Sequence, residues 1–173
     1  MITTGGGLYR YRIGDLVEVV GFHRACPLIR FVGREDVVDL RGEKLNDRFV
    51  RECAERVLAE QGVEAAFWLL APVAGEDSLA YALFVETGSP GVERLVRIGN
   101  ELEAQLRRSY HYDYCRRLGQ LGPCRVFRID AGANARNLYL TGRARLGQRL
   151  GDVKPAAVDA FDGWAELLPG RFV

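Results

Sequence analysis

Lysine is nearly missing from this chain. Of 24 cationic residues in 173, only Lys44 and Lys154 are lysine, and the rest are arginine. Arginine is a planar fork and lysine a compact point charge, so chemistry that needs the latter has two places to go. A charge excess is missing as well. A net charge of +1 removes any global electrostatic argument for nucleic acid or a membrane surface as a partner. No apolar run approaches the roughly 20 residues that a membrane span needs. The opening Met1-Ile2-Thr3-Thr4-Gly5 has neither the basic nor the apolar region of a signal peptide. The four cysteines (Cys26, Cys53, Cys115 and Cys124) include no C-x-x-C pair, and only His23 and His111 stand beside them. That pattern argues against structural zinc and predicts reduced thiols in a cytoplasmic protein, with no metal ligands assigned. Gly5-Gly6-Gly7 is followed by a strand pattern and by no Lys-Ser or Lys-Thr, which excludes a phosphate loop.

What is present reads as an ordinary globular chain, 48% hydrophobic and 27% charged. Its length suffices for one domain or a domain plus a piece of another. Leu8–Ile13 and Leu16–Phe22 read as strands joined by a tight Gly14-Asp15 turn, with a third strand over Leu28–Val32 after a break at Pro27. The polar stretches Gly33–Asp36 and Arg41–Lys44 read as a hinge or crossover. A helix follows, capped by Asn46 or Asp47 and ended by Gly62, with Phe49, Val50, Cys53, Val57 and Leu58 on one face. Val63–Leu70 and Leu79–Val85 are predicted strands around a Gly75–Ser78 turn. A second helix spans Val92–Arg108 with Leu95, Val96, Leu102 and Leu106 inward. A strand over Arg125–Ile129, a helix over Ala135–Leu146 and an irregular tail complete the pattern. The fold class is thus α/β (α+β): a short antiparallel β-ribbon, then a compact mixed α/β unit, with the boundary between Gly33 and Gly42.

Two motifs carry chemistry. Tyr11-Arg12-Ile13-Gly14-Asp15 sets a carboxylate beside aromatic and guanidinium groups, and Gly33-Arg34-Glu35-Asp36 repeats a Gly-Arg-x-Asp pattern. A carboxylate that accepts two ribose hydroxyls and an arginine that binds phosphate are the parts of a nucleotide site. The residues alone leave alternatives open. Asp15 also fits a turn aspartate bonded to its own backbone, Arg34 and Asp36 fit a surface ion pair, and Lys44 and Lys154 fit solvated surface charges. His23 and His111 have no companion nucleophile and receive no catalytic role.

At these residues the sequence resembles the adenylate-forming enzymes, and within them the auxin-responsive acyl-acid amido synthetases, the Gretchen Hagen family, with bacterial relatives. Gly7-Leu8-Tyr9-Arg10-Tyr11-Arg12-Ile13-Gly14-Asp15 is similar to that family's Tyr-Arg-x-Gly-Asp nucleotide motif, Val20-Gly21-Phe22-His23 to the Gly-Phe-His after it, and Phe31–Asp36 to the hinge motif. Gly147-Gln148-Arg149-Leu150-Gly151-Asp152-Val153-Lys154-Pro155 resembles the family's tail in its Gly-to-Lys spacing, while Asp152-Val153 replaces a Gln-Tyr pair. The resemblance implies that Asp15, with Tyr11 beside it, binds the ribose of ATP, that Arg34 binds near the same ribose and the hinge, and that Lys44 and Lys154 are mobile catalytic cations. It implies an ATP-dependent ligase, with Mg2+ in the complete enzyme. A carboxylic acid and ATP give an acyl-adenylate and pyrophosphate, and an amino acid then displaces AMP to form an amide. It implies a division into residues 1–33, a β-ribbon belonging to a large N-terminal domain, a hinge over 34–42, and a mobile C-terminal domain over 43–173. Nothing here corresponds to the family's Ser/Thr/Gly-rich phosphate loop, so the chain is expected to be the C-terminal portion of such an enzyme, a fragment or truncated product inactive alone. The partners implied are the acid, the amino acid and the N-terminal domain. An acyl-CoA ligase, against which Gly21-Phe22-His23 argues, and a non-catalytic domain that binds a nucleotide or a partner protein remain the competing readings.

Overall fold

The structure, a computed structural model, describes residues 3–7, 9–10, 15–34, 37–75, 78–88, 90–147 and 156–173, with the backbone alone at 15, 16 and 31–34. The chain divides into two compact units, Met1–Asp36 and Val37–Val173.

In the first unit, β1 (Asp15–His23) and β2 (Cys26–Arg34) form an antiparallel ribbon closed by the two-residue link Arg24-Ala25. Arg24 takes a left-handed conformation there (φ 57°). Among the described residues the ribbon has two strands with its tight turn at Arg24-Ala25, and Asp15 is the first residue of β1, while Gly14 of the expected Gly14-Asp15 turn lies outside the described residues. Tyr9 and Arg10 are not in a strand, and the rest of the expected first strand lies outside the described residues. Pro27 does not break the chain but pairs with Phe22 inside β2. Every second N–H of a two-stranded ribbon points away from its partner, so the missing donor is tolerated. Glu18 and Arg30 are cross-strand partners with an exposed 3.8 Å ion pair, a contact worth little.

The second unit begins with a small hairpin, β3 (Val37–Val38) and β4 (Leu45–Asn46), in the stretch expected to be a hinge or crossover. Val38 and Leu45 are opposite one another and buried, which closes residues 39–44 into a loop. Helix α1 (Asp47–Glu60) starts at once, capped by the Asn46 side chain, which accepts the N–H groups of Arg48 (2.9 Å) and Phe49 (3.4 Å). Val50, Cys53, Ala54, Val57 and Leu58 form its buried stripe.

The main sheet has the order β5 (Ala65–Ala74), β6 (Leu79–Thr87), β7 (Arg125–Ile129), β8 (Gly170–Phe172). β6 is antiparallel to β5 and parallel to β7, and β8 is antiparallel to β7. Val158 lies along β5 through a parallel bridge to Leu70. β6 is near-continuously apolar because it is buried on both faces. Tyr81, Leu83 and Val85 point into one core with α1, α2 (Val92–Leu106) and α3 (Tyr110–Arg117). Ala80, Ala82 and Phe84 point into a second core with α4 (Ala135–Arg145) and α5 (Trp164–Leu167). The unit is therefore a three-layer α/β/α sandwich, and the expected α/β class with a preceding ribbon is observed.

Three details depart from the sequence pattern. In α2 the buried stripe is Leu95, Ile98, Gly99, Leu102 and Leu106, and Val96 is exposed. Its place one residue past Leu95 turns it about 100° off that stripe. Helix α3 was not expected, because only Tyr112 and Cys115 of its eight residues are buried. The tail is not wholly irregular, since it holds α5 and β8. In the second core Gly142 makes room for Trp164, whose ring carbons would lie 2.9 and 3.0 Å from a Cβ there.

Candidate functional site

Of the residues that sequence singled out, Lys44 alone has a described side chain. Tyr11 and Lys154 lie outside the described residues. Asp15 and Arg34 are described by backbone only, and they are register partners at the open end of the ribbon, so the two motifs meet across β1 and β2.

Lys44 is exposed and sits on the loop 39–44, in a left-handed conformation at φ 46° that disfavours any residue with a Cβ. Gly42 is also left-handed at φ 102°. Something must hold this loop, and it is Glu43, which is fully buried. Its carboxylate accepts the N–H of Leu40 (3.0 Å) and of Arg41 (2.7 Å), and the Tyr81 hydroxyl from near the start of β6 donates a short bond to it. Asp39 accepts the Gly42 N–H (2.8 Å), and the Cys115 thiol donates to the Arg41 carbonyl (3.4 Å). Burial first, and then the bond to Glu43, push the Tyr81 phenol far above its ordinary range, so it stays a donor. The loop that presents Lys44 is thus tied to the central strand by an internal carboxylate.

A second carboxylate anchors the segment that follows Lys154 and Pro155. Asp47, in the first turn of α1, accepts the Ala157 N–H in a short bond and the Val158 N–H at 3.4 Å, while its other oxygen meets Arg51 at 3.2 Å. Leu70 donates to the Ala157 carbonyl (2.9 Å) and accepts the Asp159 N–H (3.0 Å). Asp159 is buried, accepts two bonds from Arg143 (2.9 and 3.0 Å), and receives the Phe161 N–H at 3.0 Å. A shallow cleft of about 360 Å³ lies between the loop and this segment, lined by Leu40, Arg41, Leu79, Ala160, Phe161 and Asp162.

Two further carboxylates work inside the fold. Glu86, near the end of β6, accepts the N–H groups of Asn134 (3.0 Å) and Ala135 (2.9 Å) and so caps α4 from the sheet face on which that helix packs. Glu103 accepts the Tyr112 hydroxyl (2.8 Å), Arg116 Nε (2.6 Å) and the Cys124 N–H (2.9 Å). Among the described residues no group of three His, Cys, Asp or Glu is disposed to hold a metal ion, and no helix is long and apolar enough to cross a membrane.

The order of these parts, a ribbon and then a hairpin-led sandwich, is matched by two family models. Residues 1–34 match the GH3 family central domain and residues 47–156 the GH3 family C-terminal domain. The chain belongs to the GH3 family. Its relatives within that family include a probable indole-3-acetic acid-amido synthetase, GH3.12, of Oryza sativa subsp. japonica, 29% identical over 86% of this chain and 27% of its own length. The indole-3-acetic acid-amido synthetase GH3.4 of Arabidopsis thaliana is 42% identical over a shorter stretch, 36% of this chain and 11% of the relative. Among solved structures, a GH3.15 acyl acid amido synthetase superposes with a TM-score of 0.75 at 22% identity, covering 99% of this chain and 33% of that one. That likeness concerns the fold. The chain spans about a quarter of the GH3 relative that it matches most fully among these curated proteins.

Glu43, Asp47 and Asp159 as anchors were not foreseen. Glu43 has no local signature, because a glutamate between Gly42 and Lys44 looks solvated. Asp47 was read only as a possible cap for α1.

Proposed function

We propose that this chain is the C-terminal part of an ATP-dependent acyl-acid amido synthetase, which adenylates a carboxylic acid and passes the acyl group to an amino acid. The observation that carries this reading is the matching of both GH3 models in chain order, central then C-terminal. The full activity belongs to this chain joined to a GH3 N-terminal portion.

In this reading Asp15 and Arg34 contact the ribose, with Tyr11 alongside, and the segment from Gly33 to Gly42 is the pivot on which the second unit turns between the two half-reactions. Lys44 and Lys154 supply positive charge to the α-phosphate and the attacking carboxylate. The Asp47–Ala157 contact supports a shared role. Each lysine is three residues from one side of it, a reach of at most about 11 Å along the chain. Of the described side chains, Lys44 fits a phosphate oxygen, being exposed on a fixed loop. Mg2+, which would neutralise phosphate charge, would be held by the nucleotide and by groups outside the described residues. A cytoplasmic location is supported by the free thiols of Cys26, Cys53, Cys115 and Cys124.

The test joins the chain to the N-terminal portion of a GH3 relative and follows pyrophosphate release with ATP, a panel of carboxylic acids and a panel of amino acids. Amide formation is expected, with Lys44→Ala and Lys154→Ala each lowering kcat by about 100-fold and Asp15→Ala raising KM for ATP. A joined enzyme whose rates survive all three substitutions would remove these role assignments. A joined protein that folds and makes no amide with any pair would remove the function.

A further inference from the structure

We propose that the cleft between the 39–44 loop and residues 160–162 binds the amine acceptor, and that its chemistry selects a zwitterionic α-amino acid with an apolar side chain. This assignment rests on the amide-synthetase reading. The lining holds one cation, Arg41, and one anion, Asp162, and the other four residues are Leu40, Leu79, Ala160 and Phe161. Both charged residues are exposed, and among the described residues neither enters an ion pair. A planar guanidinium grips a carboxylate through two parallel bonds, and a carboxylate accepts from an ammonium group. A free amino acid carries both groups on one carbon. Its side chain is then left to Leu40, Leu79 and Phe161, which reward apolar surface and leave a second carboxylate unpaired.

Both walls are preorganised. Glu43 lies beneath one and fixes the N–H groups of Leu40 and Arg41. Asp159 lies beneath the other and fixes the Phe161 N–H while paired with Arg143. A buried carboxylate under each wall spares the ligand the cost of ordering the site. Arg41 shares its loop with Lys44, so a ligand held here is carried by the element that presents the candidate catalytic cation.

The test uses the full chain, labelled with 15N, and L-leucine as the probe. Saturable shifts are expected at the amides of Leu40, Arg41, Leu79 and Phe161. Arg41→Ala and Asp162→Asn, both at exposed side chains that the fold does not need, are expected to weaken leucine by about tenfold or more each. 3-Methylbutylamine, which lacks the carboxylate, should be indifferent to Arg41→Ala, and N-acetyl-L-leucine indifferent to Asp162→Asn. L-Glutamate should bind more weakly than L-leucine. Absence of saturable shifts at these amides overturns the proposal, as does leucine binding that both substitutions leave unchanged. Amide formation by the joined enzyme with an unaltered KM for leucine in both variants overturns the cleft and leaves the proposed function standing. Leucine bound at the cleft, with no amide formed by the joined protein, overturns the function and leaves the binding site standing.

Discussion

The Tyr81 hydroxyl, near the start of the central strand β6, donates to the Glu43 carboxylate, thirty-eight residues earlier in the chain. A buried charge in contact with a neutral phenol and two backbone N–H groups is stable only while those donors stay in place. The geometry of the lysine-bearing loop is therefore a property of the core.

Removing one member of that pair strands the other. Tyr81→Phe leaves the carboxylate one donor short and is expected to lower stability by about 1–3 kcal/mol, and Glu43→Ala, which frees two N–H groups and the hydroxyl, by more. Glu43→Gln keeps the shape and should cost less than alanine. Urea midpoints of the single and double variants measure the coupling. Strictly additive losses would show that the pair does not act as a unit.

Asp47 should have a local effect. In Asp47→Ala the amides of Ala157 and Val158 lose their acceptor, while the Asp159 amide keeps Leu70. Hydrogen exchange should accelerate more than tenfold at the first two and little at the third, with about 1–2 kcal/mol lost globally. Asp47→Asn retains an acceptor oxygen and should protect better than alanine. Equal acceleration at all three amides would show that the whole segment detaches together.

Gly142→Ala sets helix propensity against packing. Alanine in place of glycine favours a helix by about 1 kcal/mol. Here its methyl would meet the Trp164 ring, which is fixed between Tyr139 (centroids 5.0 Å apart) and Phe161 (5.3 Å). Overpacking of about 1–3 kcal/mol should win, with a lower melting temperature. A raised melting temperature would mean that the ring shifts freely.

Stability should fall on the alkaline side. Burial, reinforced by neighbouring carboxylates, raises the Tyr81 and Tyr112 phenols and the Cys124 thiol, and pushes the Tyr139 phenol up to about 12. Each group is neutral when protonated and has a folded pKa above its unfolded one. Its contribution is whole below the unfolded value, about 8.5 for a thiol and 10 for a phenol, and is lost as pH rises towards the folded value. Melting temperature should be level near neutrality and decline from about pH 9, with Tyr139→Phe flattening the decline. At low pH the opposite sign applies to Asp113, whose carboxyl Arg107 holds down. Its contribution is present above the ordinary carboxylate range and lost on acidification. An unchanged melting temperature at pH 11 would contradict the buried-phenol account.

Where the sequence was legible, the reason is local pattern. The α1 stripe repeats at the spacing of a helix, β5 and β6 are apolar runs bounded by turn residues, and Asn46 is a cap by chemistry. Helix α3, α5 and β8 are too short to show a period. The Arg24-Ala25 turn escaped because neither residue is a usual turn former, and Pro27 hid the start of β2, whose Leu28–Val32 stretch was legible. The candidate site divides in the same way. Lys44 stood out by rarity. The Glu43, Asp47 and Asp159 carboxylates, which hold its surroundings, make contacts at separations of up to 111 residues that no local window can hold.

The last stretch, 156–173, does more than follow Lys154. Val158 lies along the outer side of β5 and β8 along the outer side of β7. One short stretch thus engages both sides of the sheet, at a single bridge to Leu70 on β5 and at three register pairs on β7, where unpaired N–H and C=O groups would otherwise face a neighbouring chain. A premature stop after Leu146 would then yield a sheet prone to strand addition and aggregation, even though α1 to α4 were all present.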